Sequence, residues 1–174
     1  MSDILRFVSD RVPTPIGDLR IVADDEGNLR ATFWTDQEED LQRMLRRHYA
    51  GRPVELQPER NPHGLTEAIA RYFAGELHAI DTLPVATAGT PFQREVWSAL
   101  RGIPCGTTIS YRQLAARLGR PAAVRAVGLA NGANPIGVVV PCHRVIGANG
   151  SLTGYGGGIE RKRWLLDHER QVHL

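Results

Sequence analysis

Cysteine, lysine and long apolar runs are all scarce in this chain. Only two cysteines occur, Cys105 and Cys142. So few cannot staple a disulfide scaffold, and they suit a reducing cytoplasm. No C-x-x-C or H-x-x-x-H spacing is present, so no metal is expected. No apolar stretch approaches the roughly 20 residues that cross a bilayer, so no membrane role is expected. The start, Met1-Ser2-Asp3-Ile4-Leu5-Arg6, lacks the basic and apolar segments of a signal peptide. The remainder is ordinary for a soluble globular chain: 174 residues, 42% apolar and 23% charged. That length gives one generous domain or two small ones, with a core that needs no staples.

Acidic residues are missing from one region only. Residues 1–90 carry 10 arginines against 15 acidic side chains, whereas residues 91–174 carry 11 basic against 4 acidic ones. Between Val96 and Ile159 there is no carboxylate, while Arg101, Arg112, Arg117, Arg120, Arg125 and Arg144 all fall inside. Such a segment generates a positive field suited to a polyanion. Twenty of the 21 basic residues are arginine, to which no functional weight attaches.

The first half reads as a small α/β domain over residues 1–84. Residues 4–34 read as antiparallel strands, with a turn at Asp24-Asp25-Glu26-Gly27-Asn28. Leu41, Met44, Leu45 and Tyr49 recur at helical spacing within 37–50, and a second helix runs from Leu65 through Phe73. His48, His63 and His78 have no helical or strand spacing to one another and read as surface or core residues, not ligands. A linker, 82–89, leads into residues 85–174. Thr90-Pro91 starts one helix and Ser110 caps a second, which Gly119 stops. A third, from Ala122 to about Asn131, is built of small residues around Arg125. Three short helices with tight connections read as a helix-turn-helix, the slim one able to approach DNA closely. The same slimness also suits close packing against a neighbour.

Ile136-Gly137-Val138-Val139-Val140 reads as a buried strand ended by Pro141. Cys142 follows, with His143 and Arg144 behind it, placed where a reactive thiolate could be stabilised. A small buried thiol is the other reading of that cysteine. Cys105, in a turn, reads as structural. Asn149-Gly150 signals a hairpin like a wing, and Gly156-Gly157-Gly158 allows close backbone approach. A last helix, Ile159 to about Glu169, presents Trp164, Leu165 and Leu166 for packing. It leaves Glu169 near its C-terminus, where a carboxylate is disfavoured and invites a partner such as histidine.

From Thr90-Pro91-Phe92-Gln93 through Ile109-Ser110-Tyr111, Arg125-Ala126-Val127-Gly128, Asn134-Pro135, Pro141-Cys142-His143-Arg144-Val145 and Trp164-Leu165-Leu166, the chain resembles the O6-alkylguanine-DNA alkyltransferases. The resemblance covers the C-terminal half with several motifs in order. It implies an α/β (α+β) fold, with an RNase-H-like domain over 1–84 and a mostly helical, winged helix-turn-helix domain over 85–174. It implies a cytoplasmic DNA-repair protein, a monomer without cofactor, whose partner is double-stranded DNA containing O6-alkylguanine, with O4-alkylthymine left open. Cys142 would take the alkyl group irreversibly, once per molecule. His143 would accept the thiol proton through a water, Glu169 would orient His143, and Tyr111 would donate to the leaving guanine. Asn134, Val145, Tyr155 and Gly156 would form the pocket. Arg125 would replace the extruded base, on a helix carrying Ala123, Ala126 and Gly128.

Two departures stand out. Residues 1–90 hold none of the cysteines with which some relatives bind zinc, and Gly156 stands where some carry serine. The first implies no zinc and the second implies room for larger alkyl groups. A non-catalytic lesion binder, a winged-helix regulator and a cysteine hydrolase are the competing readings. The presence of Cys142, its Cys-His-Arg cluster and single use separate these from transfer.

Overall fold

The computed structural model describes residues 3–170. Two compact units are present, one ending at Ala88 and the next beginning at Gly89. Among the described residues, no helix is long and apolar enough to cross a membrane.

The first unit is a four-stranded sheet flanked by helices. Strands β1 (Leu5–Thr14), β2 (Gly17–Ala23) and β3 (Leu29–Trp34) form antiparallel pairs in chain order. A fourth, β4 (Val54–Pro58), lies parallel to β1, giving the order β3-β2-β1-β4. Sequence periodicity does not reveal β4, since its five residues are half-buried or exposed and end in proline. On β2, Leu19 and Ile21 are buried, and so is Val22 of the opposite parity, so both faces of the sheet are covered. Helix α1 (Glu38–His48) sets Leu41, Met44 and Leu45 against Phe7, Val22 and Ala31. Its acidic first turn and basic last turn both complement the helix dipole. Helix α2 (Leu65–Phe73) packs on β1, with Tyr72 and Phe73 edge-on to each other. The β2–β3 turn closes on buried Asp24, which accepts from the N–H groups of Glu26 and Asn28 and pairs with Arg30 at 2.8 Å.

The second unit holds α3 (Pro91–Leu100), β5 (Ile109–Ser110), α4 (Tyr111–Arg117), α5 (Val124–Gly132), β6 (Val145–Ile146) and α6 (Ile159–Arg170). Thr90 and Ser110 both make complete capping boxes, with Gln93 and Gln113 as reciprocal partners. The Trp97 indole donates to the Ala130 carbonyl at 2.8 Å, fixing α3 against the end of α5. Parallel pairing of β5 with β6 sets Ile109 opposite Val145. That register sets the first turn of α4 beside β6, the strand that follows the Cys142 segment.

Three local expectations fail. Ile136–Val140 forms no strand: Ile136 makes a single bridge and turns and a bend follow. The Asn134 side chain outcompetes sheet pairing there: its amide donates to Val140 O (2.8 Å), its carbonyl accepts from Ile136 N (3.0 Å), and Val140 N–H returns to Ile136 O (2.9 Å). Residues Cys142–Arg144 form a 3₁₀ turn rather than an extended chain. After Asn149-Gly150 a turn closes, Gly147 N–H donating to Ser151 O, yet no returning strand pairs.

Candidate active site

The loop that delivers Cys142 is unusually tight. Val139 N–H donates to Gly137 O (3.0 Å) across Val138, a buried β-branched residue at φ +73°. This is the strained form of the γ-turn, costing roughly 1–3 kcal/mol. A second, relaxed γ-turn follows on Pro141, where Cys142 N–H donates to Val140 O (2.8 Å). Asn134 clasps the loop and also reaches the Cys142 sulfur. The cysteine is therefore placed by backbone turns locked from one side chain.

Cys142, His143 and Arg144 are all buried. Successive side chains of a 3₁₀ turn diverge by about 120°, so thiol and imidazole still point apart although the chain is not extended. His143 Nε2 lies 2.8 Å from Glu169 Oε2. Glu169 is fully buried and gripped on both oxygens by Arg144, at 2.9 and 3.0 Å, while Arg144 Nη1 donates to Ile103 O at 2.8 Å. Burial alone would raise the Glu169 pKa. His143 and Arg144 outweigh it and hold the carboxyl far below the usual carboxylate range. An ionised carboxylate only accepts, so Nε2 carries the proton and Nδ1 presents its lone pair. That Nδ1 is buried and has no hydrogen-bond partner among the described residues.

His143 itself is pushed below its ordinary pKa, chiefly by burial, against the attraction of Glu169. Direction follows from geometry: the Glu169 charge is already matched by Arg144, leaving little to stabilise an imidazolium. The ring is thus a neutral base. Burial also raises the Cys142 thiol, with Asn134 and Lys162 opposing. At rest the thiol is therefore protonated and the imidazole neutral.

Lys162 escaped sequence reasoning. It is the only lysine, it is fully buried, and its ammonium donates to Val145 O (2.7 Å) and Thr153 O (3.0 Å). Burial lowers its pKa while the Cys142 charge opposes that shift. Arg144, beside the thiol in sequence, is committed to Glu169 and Ile103 O as a support, and Lys162 is the cation whose charge favours the thiolate. The signal was available in spacing: Lys162, Leu165, Leu166 and Glu169 occupy one buried face of α6 at i, i+3, i+4 and i+7. Trp164 instead stacks half-buried on His168, with ring centroids 4.6 Å apart.

Tyr111, first residue of α4, donates its hydroxyl to Thr153 O (3.1 Å), the carbonyl that also accepts from Lys162. Burial raises its pKa, the Thr153 bond opposes this, and the Cys142 charge adds to it. The phenol keeps its proton at neutral pH. Val145 is buried in β6, whereas Tyr155 is half-buried and Gly156 exposed in the loop before α6. A side chain at Gly156 would meet nothing within 4 Å. Arg125 and Ala126 stand apart from the cluster, exposed on α5, with Ala123 half-buried at its start. Gly128 turns toward Tyr111, a Cβ there lying 3.8 Å from the ring. Cys105 is half-buried in its turn. No group of three metal-ligating side chains converges among the described residues.

The site predicts acid sensitivity. His143 and Glu169 both bind protons less readily in the folded chain than at their ordinary values of 6.5 and 4.5. The unfolded chain then holds more protons at low pH, so stability rises with pH there. Stability should be full above about pH 7, fall as pH drops below 6.5, and fall more steeply below 4.5. Urea midpoints measured from pH 8 to 4 check this; a midpoint independent of pH would contradict the buried pair.

The family described as 6-O-methylguanine DNA methyltransferase, DNA binding domain, matches residues 91–171. The methylated-DNA–protein-cysteine methyltransferase of Salmonella typhimurium is 56% identical over 171 residues, covering 98% of this chain and all of that one. The Haemophilus influenzae protein of the same name is 39% identical, covering 93% of this chain and 86% of its own. Among solved structures, Mycobacterium tuberculosis OGT in complex with DNA superposes with a TM-score of 0.77 at 42% identity, covering 96% of this chain and 94% of that one.

Proposed function

The chain belongs to the O6-alkylguanine-DNA alkyltransferases, the methylated-DNA–protein-cysteine methyltransferases, and from that premise we propose that Cys142 is the alkyl acceptor. The activity is direct-reversal DNA repair, by transfer of the alkyl group to a cysteine of the protein itself. The observation that carries the assignment is the buried Cys142–His143–Glu169–Arg144 arrangement, with Nε2 committed to Glu169 and Nδ1 left as the acceptor.

His143 Nδ1 takes the thiol proton, through a bridging water. The sulfur attacks the O6-alkyl carbon, an S–C bond forms as the C–O bond breaks, and the electron pair leaves on guanine. Tyr111 supplies a hydrogen bond or proton to that leaving base, and the proton lost by the thiol restores the balance. Lys162 stabilises the thiolate meanwhile. A thioether is inert to hydrolysis, so each molecule acts once. Asn134 holds the acceptor loop, and Val145, Tyr155 and Gly156 wall the pocket.

O6 is out of in-line reach within a stacked duplex, so the base must be flipped, at a cost of a few kcal/mol. Arg125 fills the gap left in the stack, on a face with Ala123, Ala126 and Gly128. In this reading residues 85–174 are the DNA-binding and acceptor domain, a helix-turn-helix with the 147–158 loop as its wing. Residues 1–84 are an RNase-H-like support. The protein works as a cytoplasmic monomer on double-stranded DNA bearing O6-alkylguanine. Cys142 argues against a non-catalytic lesion binder.

Titrating the protein against a duplex carrying O6-methylguanine tests the reading. Lesion lost should equal protein added, with no further loss on longer incubation. Continued turnover would indicate a hydrolase instead.

A further inference from the structure

Helix α5 turns Arg125, Ala126, Leu129 and Gly132 to solvent, and buries Val127, Ala130 and Asn131. Leu129 is 72% exposed, against 41% and 36% for Ile4 and Ile159, the other large apolar side chains exposed among the described residues. Alanine would serve the helix as well without wetting an isobutyl group. Besides Arg125, the neighbours on this face are Ala126 and Gly132, which do nothing to shield it. Leu129 sits one helical turn after Arg125, so the two side chains lie on the same stripe. The surrounding sequence contains no carboxylate from Val96 to Ile159, and the matched family description is that of a DNA-binding domain. A duplex received on Arg125 cannot avoid Leu129.

We infer that Leu129 is a second DNA contact, an apolar wedge pressed against deoxyribose rings and base edges in the groove that Arg125 enters. The inference rests on the reading of α5 as the DNA face. Apolar wedges are a recurring device of proteins that deform DNA from a groove, because the contact they gain offsets the cost of unstacking. A methylene contact displaces no counterion, so Leu129 adds affinity without adding salt dependence. On a helix this slim, an aliphatic side chain also supports the opened stack where alanine cannot reach.

The test compares the parent protein, Leu129→Ala and Arg125→Ala for binding to an undamaged duplex over a range of salt. The rate of transfer from an O6-methylguanine duplex is measured relative to that from free O6-benzylguanine. Leu129→Ala should bind about fivefold more weakly with an unchanged salt slope, and its duplex-to-free-base rate ratio should fall by a similar factor. Unchanged binding by Leu129→Ala while Arg125→Ala is weakened would overturn the wedge and leave α5 as the DNA face. Unchanged binding by both variants would overturn that reading of α5 itself. If the parent sediments as a dimer and Leu129→Ala as a monomer, the side chain serves a second copy of the chain and the wedge is wrong.

Discussion

A His143→Gln variant should transfer the alkyl group roughly 10²- to 10⁴-fold more slowly than the parent at neutral pH. Burial favours the protonated thiol, and in the proposed mechanism the base that relieves it is a neutral imidazole whose Nε2 proton is pinned on Glu169. Glutamine can keep the hydrogen bond to the carboxylate but cannot accept a proton. The pH profile separates loss of a base from loss of shape. The parent rate should be nearly flat from pH 7 to 8, where an imidazole held below its ordinary value stays neutral. In the variant the rate should climb close to tenfold per pH unit, following direct ionisation of the thiol. Single-turnover kinetics on a methylated duplex give both slopes. A variant with the parent's rate, or with the parent's flat profile, would remove His143 from the chemistry.

The second large effect is on stability. Arg144→Ala strips both guanidinium contacts from a fully buried carboxylate. Breaking a buried ion pair from one side costs about 3–5 kcal/mol, because a charge remains without its partner. Glu169 then either takes up a proton or draws one onto His143. In the second case the neutral base is lost along with the stability. Chemical unfolding should show the loss in full for Arg144→Ala. The double variant Arg144→Met with Glu169→Leu should recover much of it, since no charge is then stranded. Alanine and double variants of equal stability would contradict the clamp.

Much of the second unit was legible because its signals are local. Thr90-Pro91 and Ser110 announce helix starts through capping chemistry spanning three residues, and both boxes form. Glu169 was legible as a carboxylate in the wrong half of a helix, in need of a partner. The failures share a different origin. Ile136–Val140 has a strand's composition, and only the reach of Asn134 over six residues folds it into turns. Arg144 finds its partners 25 and 41 residues away, at Glu169 and Ile103, a distance no spacing rule spans. Lys162 was hidden by the habit of reading charged residues as solvated, although its helical register with Leu165 and Leu166 placed it inside. The strand β4 stayed invisible because its pairing with β1 supplies what its own residues do not.

Cys142 is proposed as the alkyl-accepting residue, and mass spectrometry of the protein after exposure to an O6-methylguanine duplex tests this. One methyl should replace one hydrogen per molecule, on the peptide that contains Cys142, with Cys105 unmodified and Cys142→Ala inert. A methyl found on another residue, or a Cys142→Ala protein that still clears the lesion, would contradict it.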